Sequence, residues 1–146
     1  MLDSSRLRNP ALFDKIVTPA KAQELIRNGM NVGFSGFTPS GYPKQTALAL
    51  AEAIRQGKQC RINIWTGASV GPEIEEALSE VDGIASRAPY YAASNKAVRQ
   101  GVNTGRVHYV DAHLSHFGPQ VDFGFLGAVD VAVVEAAAIT EQGDLV

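Results

Sequence analysis

Ser35, Ser40 and Ser69, a trio of histidines and the carboxylate of Glu135 are the side chains of this sequence best suited to reaction chemistry. All three serines fall inside two glycine-rich loops. One loop reads Gly33-Phe34-Ser35-Gly36-Phe37-Thr38-Pro39-Ser40-Gly41-Tyr42-Pro43-Lys44, the other Trp65-Thr66-Gly67-Ala68-Ser69-Val70-Gly71-Pro72. Gly67-Ala68-Ser69-Val70-Gly71 has the letters of the strand–turn–helix elbow that exposes a nucleophilic serine. Such an elbow needs an acid and then a histidine downstream. Asp111 followed by His113 or His116 supplies them formally, but Pro72 opens the next helix and too few strands follow for that fold.

His113 and His116, spaced i, i+3, could share a helical face and bind a metal, while His108 belongs to a strand. Apart from Asp111, no acidic residue or cysteine completes the set, so structural or interface histidines are expected. Glu135 ends the most apolar strand. A buried carboxylate there would serve as a general base or nucleophile; the plainer expectation is a strand-end residue bonded to neighbouring backbone.

The loops themselves suit a ligand. Glycine lets a ligand approach the backbone, and the N-terminus of a following helix favours an anionic group. Gly36 and Gly41 have P-loop spacing, but Tyr42-Pro43 stands where Lys-Ser/Thr is required, and neither loop carries the dinucleotide fingerprint. Nucleoside triphosphates and NAD are disfavoured. A small anionic or cofactor-bearing ligand remains, beside the alternative of two ordinary tight turns.

The elements that would position these loops alternate. Thr18 caps a helix that Pro19 opens, with Ala22, Leu25 and Ile26 as its apolar stripe and Gly29 as its end. Strands are expected at 31–35, 61–66, 107–111 and 129–135, and helices at 44–56, from Pro72 through Val81, and at 94–100 closed by Gly101. Residues 83–93 give no clear pattern. Leu114, Phe117, Val121 and Phe125 suggest a helix that Gly118-Pro119 interrupts. The alternation implies an α/β fold, a mostly parallel sheet with helices on both faces. Residues 1–13 read as a frayed lead-in. Residues 138–146 read as a strand, a Gly-Asp turn and the start of a further strand, so 14–146 is expected to be a domain truncated at its C-terminal end.

At 146 residues the chain is one domain long, with 45% hydrophobic residues. Thirteen basic against 15 acidic residues leave a net charge of −2 and no basic patch, which disfavours nucleic acid. The lone Cys60 excludes an internal disulfide and is expected to be a buried structural thiol. Neither a secretory leader nor a membrane-spanning stretch is found, and a cytoplasmic setting is expected.

The loops, together with Arg87-Ala88-Pro89-Tyr90, Asp111-Ala112-His113-Leu114-Ser115-His116, Val129-Asp130-Val131-Ala132-Val133-Val134-Glu135-Ala136 and Ala138-Ile139-Thr140-Glu141, occur in an order that resembles the acetyl-CoA hydrolase/transferase family. These are class I CoA-transferases, and the resemblance is to their N-terminal part. It implies the α/β fold shared by CoA-transferases and certain sugar-phosphate isomerases, and a homodimer whose subunits carry two related domains. The implied substrates are an acyl-CoA and a short carboxylic acid, with coenzyme A as substrate and no separate cofactor.

The implied chemistry is covalent: a glutamate attacks the thioester and becomes a glutamyl-CoA thioester. That glutamate and the CoA-binding motif belong downstream, in the second domain, so no catalytic residue is assigned here. The loops would line the acyl and carboxylate side, with Ser69 the best candidate for binding a substrate carboxylate and Gly36, Phe37 and Thr38 weaker ones. Tyr91-Ala92 stands where some relatives carry Gln-Thr, which removes a hydroxyl. The chain is thus expected to fold at least partly, to lack turnover alone, and to expose an apolar patch and a bare sheet edge. The alternatives are a non-catalytic module that binds an acyl-CoA or organic acid, and a sugar-phosphate isomerase on the same fold.

Overall fold

A computed structural model describes residues 5–91 and 95–146. Five strands form one all-parallel sheet: β1 (Asn31–Phe34), β2 (Ile62–Thr66), β3 (Ile84–Ala88), β4 (His108–Tyr109) and β5 (Val131–Val133), in the order β4-β3-β2-β1-β5. The helices are α1 (Pro19–Ala22), α2 (Gln45–Arg55), α3 (Glu75–Glu80), α4 (Lys96–Asn103) and α5 (Leu114–Asp122).

From β1 to β4 the chain steps always in one direction across the sheet, with α2, α3 and α4 as the crossovers. It then returns through α5 to place β5 on the far side of β1. Right-handed crossovers that travel in opposite directions put their helices on opposite faces. The packing agrees. Val32, Phe34, Ile62, Ile64 and Ile84 meet Ala47, Leu50, Leu78 and Val98 of α2 to α4 in the main core. On the other face Trp65 and Ala88 meet Phe117 of α5. The order of strands reverses at β1 and β5, and in open α/β sheets the crevice beyond the strand ends at such a point is where ligands bind.

Most elements lie where periodicity puts them, and the departures have local causes. Residues 83–93 contain β3. Its register slips by one residue, so Ile62 faces Ile84 but Asn63 faces Ser86. The slip breaks the two-residue alternation and turns Arg87, not an apolar residue, onto the core face beside Ile64. The first helix is one α-turn followed by a 3₁₀ turn over Gln23–Leu25; Ile26 is buried while Leu25 is 68% exposed. Helix α4 is capped by the Asn95 side chain and does not stop at Gly101. Gly101 is a notch: a Cβ there would lie 2.7 Å from Val107 Cγ2. The chain turns instead at Gly105, whose φ is +73°.

Both ends of the described chain are paired. Leu7 bridges Ile139 in parallel and Ile139 bridges Leu145 antiparallel, while Pro10–Lys15 form a 3₁₀ turn capped by Asn9. The segment read as a frayed lead-in is therefore pinned at Leu7. Cys60 is buried, and burial pushes its thiol up. Strand β5 pairs on one side only; Val134, the residue after it, is exposed, as are Phe123 and Phe125 after α5. No helix of the described residues is long and apolar enough to cross a membrane.

Candidate functional site

The crevice that the topology calls for is present. A cavity of about 500 Å³ opens beyond the carboxyl ends of β1, β2 and β5 against α5. Its walls include Gly33, Trp65, Phe117 and Val121, with Ser35 and Gly67 contributing polar groups. Trp65 and Phe117 meet edge to face, ring centroids 6.4 Å apart, and this contact seats α5 on the sheet.

Ser35 ties the first loop to the sheet. Its N–H donates to Val133 O, its hydroxyl donates to Gly41 O at 2.9 Å, and the same oxygen accepts from the Glu135 N–H at 2.9 Å. Those bonds engage Ser35 in holding the loop. The loop then turns tightly: the Phe37 N–H donates to Ser40 O, and Gly36 and Thr38 both adopt positive φ, +129° and +55°. For Thr38 this is an uncommon conformation, of the kind found at turns and functional sites.

Tyr42 joins the two loops. The side chain is buried and its hydroxyl donates to Glu73 Oε2 at 2.6 Å. Its ring lies so close to Gly71 that a Cβ there would stand 2.7 Å from Tyr42 Cε2 and closer still to Cζ and Oη. Glycine at 71 is thus required by close approach. The bond to the Glu73 carboxylate, with burial, pushes the Tyr42 phenol up to about 12, and the same bond holds Glu73 below the usual carboxylate range. Lys44 completes the group, its Nζ 4.3 Å from the Tyr42 ring centroid and 3.7 Å from Glu135 Oε1. Glu135 is exposed and ion-paired, not the buried carboxylate that a general base would need.

Beneath the second loop lies a buried polar network. Arg87 and Glu75 are both 0% exposed. Arg87 Nη2 donates to Glu75 Oε1 at 2.6 Å, to Thr66 Oγ1 at 2.8 Å and to Ala68 O at 3.2 Å. Nη1 donates to Ala88 O, and the Thr66 hydroxyl also donates to Ala68 O. Asn95 Nδ2 donates to the other Glu75 oxygen at 3.2 Å. Burial pulls the Arg87 guanidinium below its ordinary value and the Glu75 carboxylate opposes that. Removing one partner of such a pair costs ~3–5 kcal/mol. Periodicity gave no sign of this network; a charged residue inside a strand between β2 and α4 was the available signal.

None of the four residues singled out in the sequence, Gly36, Phe37, Thr38 and Ser69, lines the cavity. Gly36 approaches the second loop: a Cβ on Gly67 would sit 3.7 Å from Gly36 O. Phe37 is 62% exposed at the loop tip, with Thr38 exposed beside it. Ser69 is half-buried, one residue beyond the Ala68 carbonyl that Arg87 holds, and no side-chain bond to its hydroxyl is found among the described residues. Ser35, a candidate for reaction chemistry from its place in the first loop, does line the cavity, as does Gly67, to which no role was assigned from sequence. His113 caps α5 through Nδ1, which accepts from the Ser115 N–H, and its ring lies 5.4 Å from that of His116. Ala92, at the departure from the family pattern, lies outside the described residues.

Comparison with known proteins completes the picture. Residues 3–146 match the model of the acetyl-CoA hydrolase/transferase N-terminal domain. The succinyl-CoA:acetate CoA-transferase of Clostridium kluyveri is 39% identical over 142 residues, which are 97% of this chain and 26% of that protein. The propanoyl-CoA:succinate CoA transferase of Escherichia coli is 38% identical over 131 residues, 87% of this chain and 26% of that protein. An acetyl-CoA hydrolase of Schizosaccharomyces pombe is 40% identical, covering 98% of this chain and 29% of that protein. The chain thus spans about a quarter of the length of these relatives. The crystal structure of RipA from Yersinia pestis shares the fold, with a TM-score of 0.56 and 21% identity over 76% of this chain and 27% of that one. With its sheet, its loops and 144 of its residues (3 to 146) matching one family model, this chain belongs to the acetyl-CoA hydrolase/transferase family and corresponds to its N-terminal domain.

Proposed function

We propose that this chain is the N-terminal domain of a cytoplasmic, homo-oligomeric enzyme that moves CoA from an acyl-CoA to a short carboxylic acid or to water. The observation that carries the reading is the match to the family along nearly the whole chain, joined to a crevice at the reversal point of the sheet. In the proposed reaction a glutamate outside this chain attacks the thioester carbonyl carbon. The carbon–sulfur bond breaks, giving a mixed anhydride and CoA thiolate. The thiolate then attacks the glutamyl carbonyl, releasing the first carboxylate and leaving a glutamyl-CoA thioester. An acceptor carboxylate repeats the steps in reverse, whereas water hydrolyses the thioester.

Within this scheme the chain binds and orients. Ser69 donates its hydroxyl to the substrate carboxylate at the crevice mouth, with the backbone of Gly36, packed against Tyr42 and Val70, beside it. Phe37 and Thr38, on the exposed tip, close over the bound acid from the side. The apolar walls around Trp65 and Phe117 suit the hydrocarbon part of a short acid. The remaining three-quarters of a relative's length is the proposed source of the glutamate and of the cover for Val134, Phe123 and Phe125.

Calorimetry of the chain alone with acetyl-CoA tests the reading. A domain that supplies only the carboxylate side gives no measurable heat of binding at micromolar concentrations. Tight binding of acetyl-CoA by this chain would point instead to a self-sufficient acyl-CoA-binding module.

A further inference from the structure

We infer that Arg87 is a positioning residue for the proposed transfer: it fixes the Ala68–Ser69 peptide so that the Ser69 N–H is offered, with the Ser69 hydroxyl, to a carboxylate oxygen of the substrate. The inference rests on the reading of Ser69 as a carboxylate-binding group. Arg87 itself is fully buried and reaches the site only through its neighbours.

In a trans peptide the carbonyl of one residue and the N–H of the next lie in one plane and point in opposite directions. The Ala68 carbonyl is drawn inward by two donors, Arg87 Nη2 and the Thr66 hydroxyl. The Ser69 N–H must therefore point away from the buried network, out of the main core. No backbone acceptor takes it among the described residues. An inward carbonyl and an outward N–H beside an unengaged hydroxyl make a two-donor site for an anionic oxygen.

Arg87 is suited to this task because its planar fork reaches several acceptors at once. It bonds the exit of β2 at Thr66, the exit of β3 at Ala88 and helix α3 at Glu75. Asn95, which caps α4, holds the other side of Glu75. An apolar side chain would fill the same core position without desolvating a charge. What it lacks is any donor for the Ala68 carbonyl.

The test uses the polypeptide that joins this chain to its downstream segment, assayed for transfer from acetyl-CoA to succinate. Arg87→Lys keeps a charge beside Glu75, but a lone ammonium cannot reach Thr66, Ala68 and Ala88 together. It is expected to lower kcat/KM for succinate by about a hundredfold, the size of a misplaced binding group, while KM for acetyl-CoA changes by less than about threefold. Thr66→Val removes the second donor and is expected to act in the same direction. Thr66→Ser keeps the oxygen and is expected to exceed Thr66→Val by about tenfold. Rates are taken per folded molecule from circular dichroism, so a merely structural role lowers the folded fraction without separating the two substrates. If Arg87→Lys does not fold, the Thr66 pair decides. Equal succinate kinetics per folded molecule in the variants and the parent would overturn the inference. An unsubstituted polypeptide that transfers nothing would overturn the underlying functional reading, and the inference with it.

Discussion

Gly71→Ala is the substitution whose outcome the structure fixes most closely. The new methyl would stand 2.7 Å from Tyr42 Cε2 and closer to the phenol oxygen, so the ring must swing out of its buried seat. Gly71 does not have positive φ, and alanine carries no backbone strain there. The whole cost comes from Tyr42. Its bond to the Glu73 carboxylate at 2.6 Å is lost, and the packing between the two loops is forced apart. Hydrogen bonds to charged groups contribute ~1.5–3 kcal/mol and overpacking costs ~1–3 kcal/mol, so a destabilisation of about 3 kcal/mol is expected. For a domain of this size that is a fall in Tm of about 10 °C. The single tryptophan, Trp65, is buried on the far face of β2 and reports unfolding by fluorescence. In a Tyr42→Ala background the same Gly71→Ala change should cost less than ~0.5 kcal/mol, because the three atoms nearest the new methyl all belong to the Tyr42 ring and hydroxyl. A melting temperature within about 2 °C of the parent, or an equal loss in both backgrounds, would refute the close packing of Tyr42 on Gly71.

Tyr42, Glu73 and Cys60 each carry an expectation. Of the four tyrosines, the one removed by Tyr42→Phe should account for an ultraviolet phenolate transition near pH 12, not 10. Because the folded value lies above the unfolded one, the stability this hydroxyl contributes is full below pH 10 and lost as pH rises through about 12. Glu73 has the opposite sign: its folded value is depressed, so its contribution is present above the ordinary carboxylate value of 4.5 and is lost as pH falls through the lower folded value. A single tyrosine transition near 10 would contradict the pairing. Cys60, buried with its thiol pushed up, should react with a disulfide reagent only as fast as the chain unfolds; fast labelling of the native protein would contradict that burial.

The sequence was most legible where one residue type has one physical use. Thr18 and Pro19 mark a helix start by capping and by a preset φ, and the structure has both. The apolar runs of β1 and β2 bury alternate residues on the main core and could be read as strands. Strand β3 was illegible because its one-residue slip destroys the alternation and because its core residue is an arginine. Gly101 misled in the other direction. Read as a stop, it is a notch for Val107, a contact made across the fold that local pattern does not carry.

The site divides in the same way. That each glycine-rich loop joins a strand to a helix was legible from the glycines and the flanking periodicity, and both loops do so; that Gly36 approaches Gly67 was not. Which residues would line the crevice depended on α5 closing over Trp65, and a helix carrying Pro119 inside it gave a broken signal. Ser35 was therefore legible as a loop residue but not as a wall of the crevice, and the buried Arg87–Glu75 pair that supports the loop from below gave no signal.

The central claim is that this chain is one domain of a CoA-transferring enzyme and supplies its carboxylate side. The most direct measurement is acyl transfer from acetyl-CoA to succinate and to water, followed by chromatography, for the chain alone and for the chain joined to its downstream segment. No turnover by the chain alone and clear turnover once the segment is present are expected. Turnover by the chain alone would contradict the claim and would direct mutagenesis to Ser69 and Glu135.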